Sequence, residues 1–535
     1  MSATALVAAK LRERDSMIPA DWVLPEHILR HVQERSRAAL DLFTETSLLT
    51  KREVLITEGY DAQALSTRIA RSEFTAVEVC LAFCKRAAIA QQLTNCATEI
   101  FIDKALERAK FLDDYLRMKQ EPYGPFHGVP ISVKDCYNVE GQATTIGFVS
   151  FLGKPKAVKN SPIVDILRDN GALIYCKTNV PQTMMTMDTV NNVFGRTLNA
   201  CNPHRTAGGS SGGEGALVRL RGSLLGVGTD IGGSIRVPSL CNGVYGFKPT
   251  ADRIPHGEWV SGMRPGMPGL VSSAGPLASS PTDLTFFCKS VIQCEPWKRD
   301  TTALAIPWRD VSRKERLRIG LFKGDSRYPL TPPVIRALES AALTLEEAGH
   351  EVIELANIPS LEDGLQIAAR YFLLDNKQTL TEHISAGGEQ PIKALAYASP
   401  VAIVGSDERI SNNPTIDDVF DCNAARSDYH NKMVAVWNRH DLDVVICPGG
   451  RAPAPPHDEH GVPVYTVVWN LVNFPASIIP FLRVDKSIDS SDDYDASAAH
   501  NLPIAVQIVG RTCQDEETLM ATEVISEALG RLPGL

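Results

Sequence analysis

Two serines flanked by glycines, Ser210 and Ser234, lie 24 residues apart in the block Gly208–Pro238, which reads GGSSGGEGALVRLRGSLLGVGTDIGGSIRVP. A serine hydroxyl becomes a useful nucleophile only when a base takes its proton, and the oxyanion formed by its attack needs N–H donors. Ser234 follows Asp230-Ile231-Gly232-Gly233. Two adjacent glycines permit backbone angles at which several N–H groups converge on one point, so this segment is read as an oxyanion hole with its nucleophile.

The elements between the two serines bring them together. A helix over about Ser211–Arg221 descends ~17 Å, and a strand over Ser223–Thr229 climbs back ~23 Å, which returns the chain to the edge where it started. Upstream, Gly128–Asp135 (GVPISVKD) reads as another strand delivering its last residues to a loop, where open parallel sheets gather their chemistry. Lys134 is therefore the candidate base. To act near neutrality it must lose roughly 3 pH units from its usual ~10.4, which burial supplies. Asp135 alternates to the opposite face and need not neutralise it. Asp230 and Arg236 are read as a pair bracing the Ser234 loop.

Plainer readings compete. Alone, Lys134 is a solvated strand-end lysine. The phosphate loop requires Gly-Lys-Ser/Thr, whereas Gly212-Gly213 is followed by Glu214. Gly208–Gly212 also fits G-x-S-x-G, but that elbow follows an apolar strand, and Cys201–Thr206 is polar and interrupted by Pro203. The combination of both serines with Lys134 favours chemistry.

With these residues in place, the chain resembles the amidase signature family, and within it the fungal acetamidase-like branch. The resemblance runs from about Asp61 to the C-terminus and is carried by Leu81–Cys96, Gly228–Pro238 and Leu502–Arg511. It implies that Lys134 is the base, Ser210 a bridging serine preceded by a cis peptide from Gly209, and Ser234 the acylated nucleophile. It further implies that the N–H groups of Ile231, Gly232, Gly233 and Ser234 form the oxyanion hole and that Met184 touches substrate. Arg219 departs from the family's usual small residue and is expected to face away from the catalytic loop. The implied fold is α/β, a large mixed twisted sheet with helices on both faces. The implied activity is cofactor-independent hydrolysis of a carboxamide through a Ser-Ser-Lys triad. An amide-releasing amidotransferase subunit and a non-catalytic binding protein on the same fold stay open, as does homo-oligomerisation.

The whole chain fits a large enzyme. Its 535 residues are 44% hydrophobic and 22% charged, enough for an extensive core, and no internal repeat divides them. Residues 1–60 are expected to be a helical extension that wraps the core, and 61–535 the catalytic domain. Helix over Pro162–Asn170, opened by Ser161, precedes a strand over Ala172–Lys177, and Ser280-Pro281 repeats the start signal. Leu317–Phe322, Thr331–Gly349 and Glu351–Leu355 read as strand, helix and strand. Residues 387–413 are expected to be loop-rich and to shape the substrate entrance.

A formal charge of −9 without a basic stripe excludes nucleic acid as the expected partner. Asn470, Asn473 and Pro475 interrupt the apolar run Tyr465–Leu482, which reads as buried helix and strand and not as a membrane span. The charged N-terminus lacks a signal peptide's apolar core. Twelve scattered cysteines without metal-ligand spacing suit a reducing cytoplasm, with Cys80 and Cys84 on one helix face. Twelve histidines include no H-E-x-x-H, and no metal or organic cofactor is implied.

Overall fold

Short aliphatic and β-branched runs bounded by glycine, proline and polar turns form the framework. In chain order they are β1 (Ala97–Ile100), β2 (Pro130–Lys134), β3 (Leu173–Thr178), β4 (Val190–Asn191), β5 (Gly195–Arg196), β6 (Leu225–Asp230) and β7 (Tyr245–Lys248). There follow β8 (Ser273–Ala278), β9 (Arg318–Leu321), β10 (Glu351–Glu354), β11 (Val444–Pro448), β12 (Ala476–Arg483) and β13 (Pro503–Val509). This computed structural model describes residues 2–267, 269–398 and 413–532.

Eleven of the strands make one mixed sheet in the order β1-β3-β2-β6-β8-β7-β12-β13-β11-β9-β10, while β4 and β5 pair separately. Strands β3, β2 and β6 run parallel, as do β11, β9 and β10, and antiparallel pairing joins the two groups through β8, β7, β12 and β13. The central strands β2, β3 and β13 are buried throughout, as expected of a sheet covered by helices on both faces. The register sets Lys134 opposite Thr178 on β3 and Val133 opposite Val227 on β6, so the three parallel strands end together at one edge.

The helices begin at their start signals, but not every capping side chain makes its bond, and Thr331 before Pro332–Glu347 makes none. Thr75 and Glu78 form a reciprocal capping box for the helix Ala76–Thr94, which sets Cys80 and Cys84 on one face with their sulfurs 3.9 Å apart. Ser280 caps Pro281–Gln293 through the N–H of Asp283. Ser161 holds the equivalent position before Pro162–Asp169, yet its hydroxyl makes no cap bond. It instead accepts from the Asn138 N–H at 2.9 Å and donates to the Glu258 carbonyl at 3.0 Å, tying two loops together. The helix Pro332–Glu347 joins β9 to β10, and Val464–Leu471 precedes β12, so the apolar run is helix followed by strand. Among the described residues, no helix is long and apolar enough to cross a membrane.

Residues 3–58 are mostly helical, and Leu24, Ile28, Leu42 and Ile56 belong to the same apolar cluster as the sheet. Lys10 is buried against Glu99 of β1 at 2.5 Å, and Arg14 donates to Asn95 at 2.8 Å. Of the segment expected to shape an entrance, residues 399–412 lie outside the described residues. Its described start is anchored by Gln182, whose Nε2 donates to Glu389 at 2.7 Å and whose Oε1 accepts from the Ile392 N–H at 3.0 Å.

Candidate active site

The parallel edge of β2 and β6 presents Lys134 and Thr229 side by side. Lys134 is 0% exposed, and its Nζ donates to Ser210 Oγ at 2.7 Å and to Thr229 Oγ1 at 2.8 Å. Burial pushes the ammonium down to about 8, against the attraction of Cys136, Asp230 and Glu214. Asp135 does not compete for it. That carboxylate faces Lys177 at 3.3 Å and accepts from Thr98, Thr145 and the Ile146 N–H.

Ser210 follows a cis peptide from Gly209 and immediately precedes Ser211, the residue at the start of the helix Gly212–Arg219. The Ser211 N–H donates to the Ser234 carbonyl at 3.1 Å, which brings the two glycine-flanked segments into contact. Among the described residues, the buried Ser234 Oγ has no hydrogen-bond partner. Such a hydroxyl costs about 1–3 kcal/mol, so its placement is not explained by stability.

The turn that holds Ser234 is fixed from both sides. Asp230 Oδ1 accepts from the Gly233 N–H at 2.8 Å, and Oδ2 from the Ile235 N–H at 3.1 Å. Arg236 reaches back to both carboxylate oxygens, at 2.9 and 3.0 Å, with both side chains 0% exposed. Burial pushes the Asp230 carboxyl up, but Arg236 and the Asn470 bond prevail and hold it well below the usual carboxylate range. Arg236 also donates to the Thr466 carbonyl, Gln507 and Asn470 at 2.9, 3.0 and 2.6 Å. The bracing expected of Asp230 and Arg236 is therefore present, and it reaches the far half of the sheet.

Gly233 must be glycine: its φ is +136°, and a Cβ there would lie 2.3 Å from Thr466 Oγ1. The Gly233 N–H, expected in the oxyanion hole, donates to Asp230 in this structure. Among the described residues, the N–H groups of Ile231, Gly232 and Ser234 are the ones in this turn with no protein acceptor.

Two lobes of a cleft meet at Ser234, Ile231, Met184 and Met185. One is apolar, closed by Met187, by Leu365, Ala368 and Phe372 of the helix Leu361–Leu373, and by Val462 and Val467. The other holds Ser210 and Thr229 and is walled by Trp259, Ser261, Met263 and Ser272. Met184 follows Thr183, and both have positive φ, +57° and +73°, a strained pair of non-glycine residues beside the cleft. Arg219, at the distal end of its helix, is 3% exposed, and among the described residues its Nε and Nη1 find no hydrogen-bond partner. Nothing in the structure explains that choice. Among the described residues no group of three His, Cys, Asp or Glu could hold a metal, and all twelve cysteines are free.

Sequence reasoning missed Thr229 as the second partner of Lys134, though it was visible as the residue before Asp230. It also missed Glu214, noticed only for breaking a phosphate-loop pattern, and the apolar wall from Leu361–Leu373. That wall has no local signal, since any buried amphipathic helix reads alike.

The family comparisons agree with the geometry. The family model described as Amidase matches residues 78–519. An amidase of Gibberella moniliformis is 44% identical over 527 residues, covering 98% of both chains. An acetamidase of Emericella nidulans is 35% identical over 557 residues, again covering 98% of each. The solved structure of a fatty acid amide hydrolase superposes with a TM-score of 0.92 at 31% identity, covering 98% of this chain and 95% of that one. Sequence, sheet order and fold converge on one assignment: the chain belongs to the amidase family.

Proposed function

We propose that this amidase hydrolyses a carboxamide through a Ser-Ser-Lys relay and an acyl-enzyme at Ser234. The observation that carries the reading is the fully buried Lys134, hydrogen-bonded to Ser210 and held near a working basicity by its surroundings. Neutral Lys134 takes the Ser210 proton as Ser210 takes that of Ser234, and the Ser234 oxygen attacks the amide carbon. The unpartnered Ser234 hydroxyl turns onto Ser210 as substrate enters, which suits resting sites whose bonds tighten on binding. The N–H groups of Ile231, Gly232 and Ser234 receive the oxyanion, while Gly233 holds the turn open through Asp230.

Collapse expels the amine or ammonia, which takes its proton from Ser210, and Lys134 returns a proton to Ser210. Water then attacks the ester through the same relay, releasing the acid. The leaving nitrogen must face Ser210, so the lobe with Ser210 and Trp259 receives the amine and the apolar lobe receives the acyl group. Met184 borders both, as a substrate contact should. The substrate class is therefore an amide of a short or medium apolar acid, with room beyond the nitrogen. The test is intact mass after exposure to a fluorophosphonate, a serine-directed acyl mimic. One covalent adduct on the wild type, absent in Ser234→Ala, is expected; an adduct of equal yield on folded Ser234→Ala refutes the nucleophile.

A further inference from the structure

Glu214 is a buried ionisable group near the relay that the mechanism leaves unused. It lies in the first turn of the helix Gly212–Arg219 and is 0% exposed. Ser132 Oγ donates to its Oε2 at 2.5 Å and Thr178 Oγ1 donates to its Oε1 at 2.8 Å. Ser132 and Lys134 are two residues apart on β2, so their side chains share a face, and both contact the 210–219 segment. Space for the carboxyl comes from Gly226 of β6, where a Cβ would lie 2.1 Å from Glu214 Oε2.

The surroundings of this carboxyl are otherwise uncharged. Cys96, Tyr175 and Cys176 face it from the β1 and β3 side, and Tyr137 from beyond β2. Burial pushes all four upward, so they stay neutral. The remaining influence is Lys134. Lys134 in turn is felt by Cys136, a buried neutral thiol, by Asp230, which Arg236 already neutralises, and by Glu214.

We propose that Glu214 is a positioning residue for Lys134: a buried carboxyl, fastened by Ser132 and Thr178, that sets the basicity of the lysine and meets the charge it acquires during acylation. The inference rests on Lys134 being the base. Burial lifts the Glu214 carboxyl to about 7, against the two hydroxyls and Lys134, so both groups titrate in the working range. An ionised Glu214 favours protonated Lys134. As Lys134 takes the proton from Ser210, the new positive charge then has a fixed counter-charge in a dry site.

The experiment is the pH dependence of fluorophosphonate inactivation, read by intact mass, for wild type, Lys134→Ala, Glu214→Gln and Ser132→Ala. Glu214→Gln keeps the shape and removes the charge, so its acidic limb moves to lower pH by about one unit and its plateau falls severalfold. Ser132→Ala withdraws a donor that favours the charged carboxylate, and moves the limb the same way by less. A limb unmoved in both variants, with only the plateau changed, makes Glu214 a structural acid and overturns the inference alone. A Lys134→Ala enzyme that labels at the wild-type rate overturns the base assignment, and the inference with it.

Discussion

Replacing Asp230 by Asn tests how the nucleophile turn is held. The carboxylate accepts from the N–H groups of Gly233 and Ile235, from Arg236 Nε and Nη2, and from Asn470 Nδ2. An amide keeps one acceptor oxygen and turns an NH₂ toward donors where Oδ2 stood. It also leaves the Arg236 guanidinium buried without a counter-charge. Breaking a fully buried pair from one side costs about 3–5 kcal/mol. If the turn loosens enough to misplace a single oxyanion donor, acylation slows by about 10²-fold. Urea unfolding measures the first effect and fluorophosphonate labelling the second. Asp230→Asn combined with Arg236→Met removes the orphaned charge, so stability recovers by more than half while labelling stays slow. A single variant within about 1 kcal/mol of wild type, or labelling at the wild-type rate, refutes the bracing argument. The pair also has a pH signature. Asp230 is depressed in the folded state, so its stabilisation is present above the unfolded value of about 3.9 and is lost only as pH falls through the lower folded value.

Three other expectations are simpler. In the proposed relay Lys134 acts when neutral, and with burial setting it at about 8 the labelling rate rises about tenfold from pH 7 to pH 9; a flat profile refutes that role. The same depression means the unfolded chain binds the proton more tightly, so wild-type stability in urea increases as pH rises from about 8 toward the ordinary lysine value, an increase that Lys134→Met lacks. Ala368, 1% exposed in the apolar lobe, sets acyl size: Ala368→Phe lowers kcat/KM for hexanamide relative to acetamide by about tenfold or more, measured as ammonia release. An unchanged ratio moves the acyl group to the other lobe.

The site was legible in the sequence where chemistry is local. Ser210, Ser234 and the Gly232-Gly233 pair announce themselves by composition, and the strand ending at Lys134 by its apolar run. The family resemblance fixed the sheet and supplied Met184. What escaped is long-range. The 2.8 Å bond from Lys134 to Thr229 depends on the register of β2 and β6, and no local pattern encodes register. The resemblance placed the Gly233 N–H in the oxyanion hole, and only the turn shows that it also serves Asp230. Ser161 shows the converse error, a correct position read with the wrong bond, because Asn138 and Glu258 claimed the hydroxyl. Glu214 went unread since a single acidic residue after glycines carries no signal until β2 and β3 surround it.

Under the proposed mechanism, the reach of Arg236 across the sheet also sets when the Ser234 turn can first become reactive. Gln507, one of its partners, follows it by 271 residues in the chain. At roughly 5–20 residues per second, a ribosome needs about 15–50 s to travel that distance. Throughout that interval Ser234 has been synthesised but β13 is incomplete, and the helix Val464–Leu471, which also clamps its turn, arrives only toward its end. A nascent or prematurely terminated chain thus carries the serine without the scaffold that arms it, and labelling by a serine-directed probe reports that the last strand of the sheet has arrived.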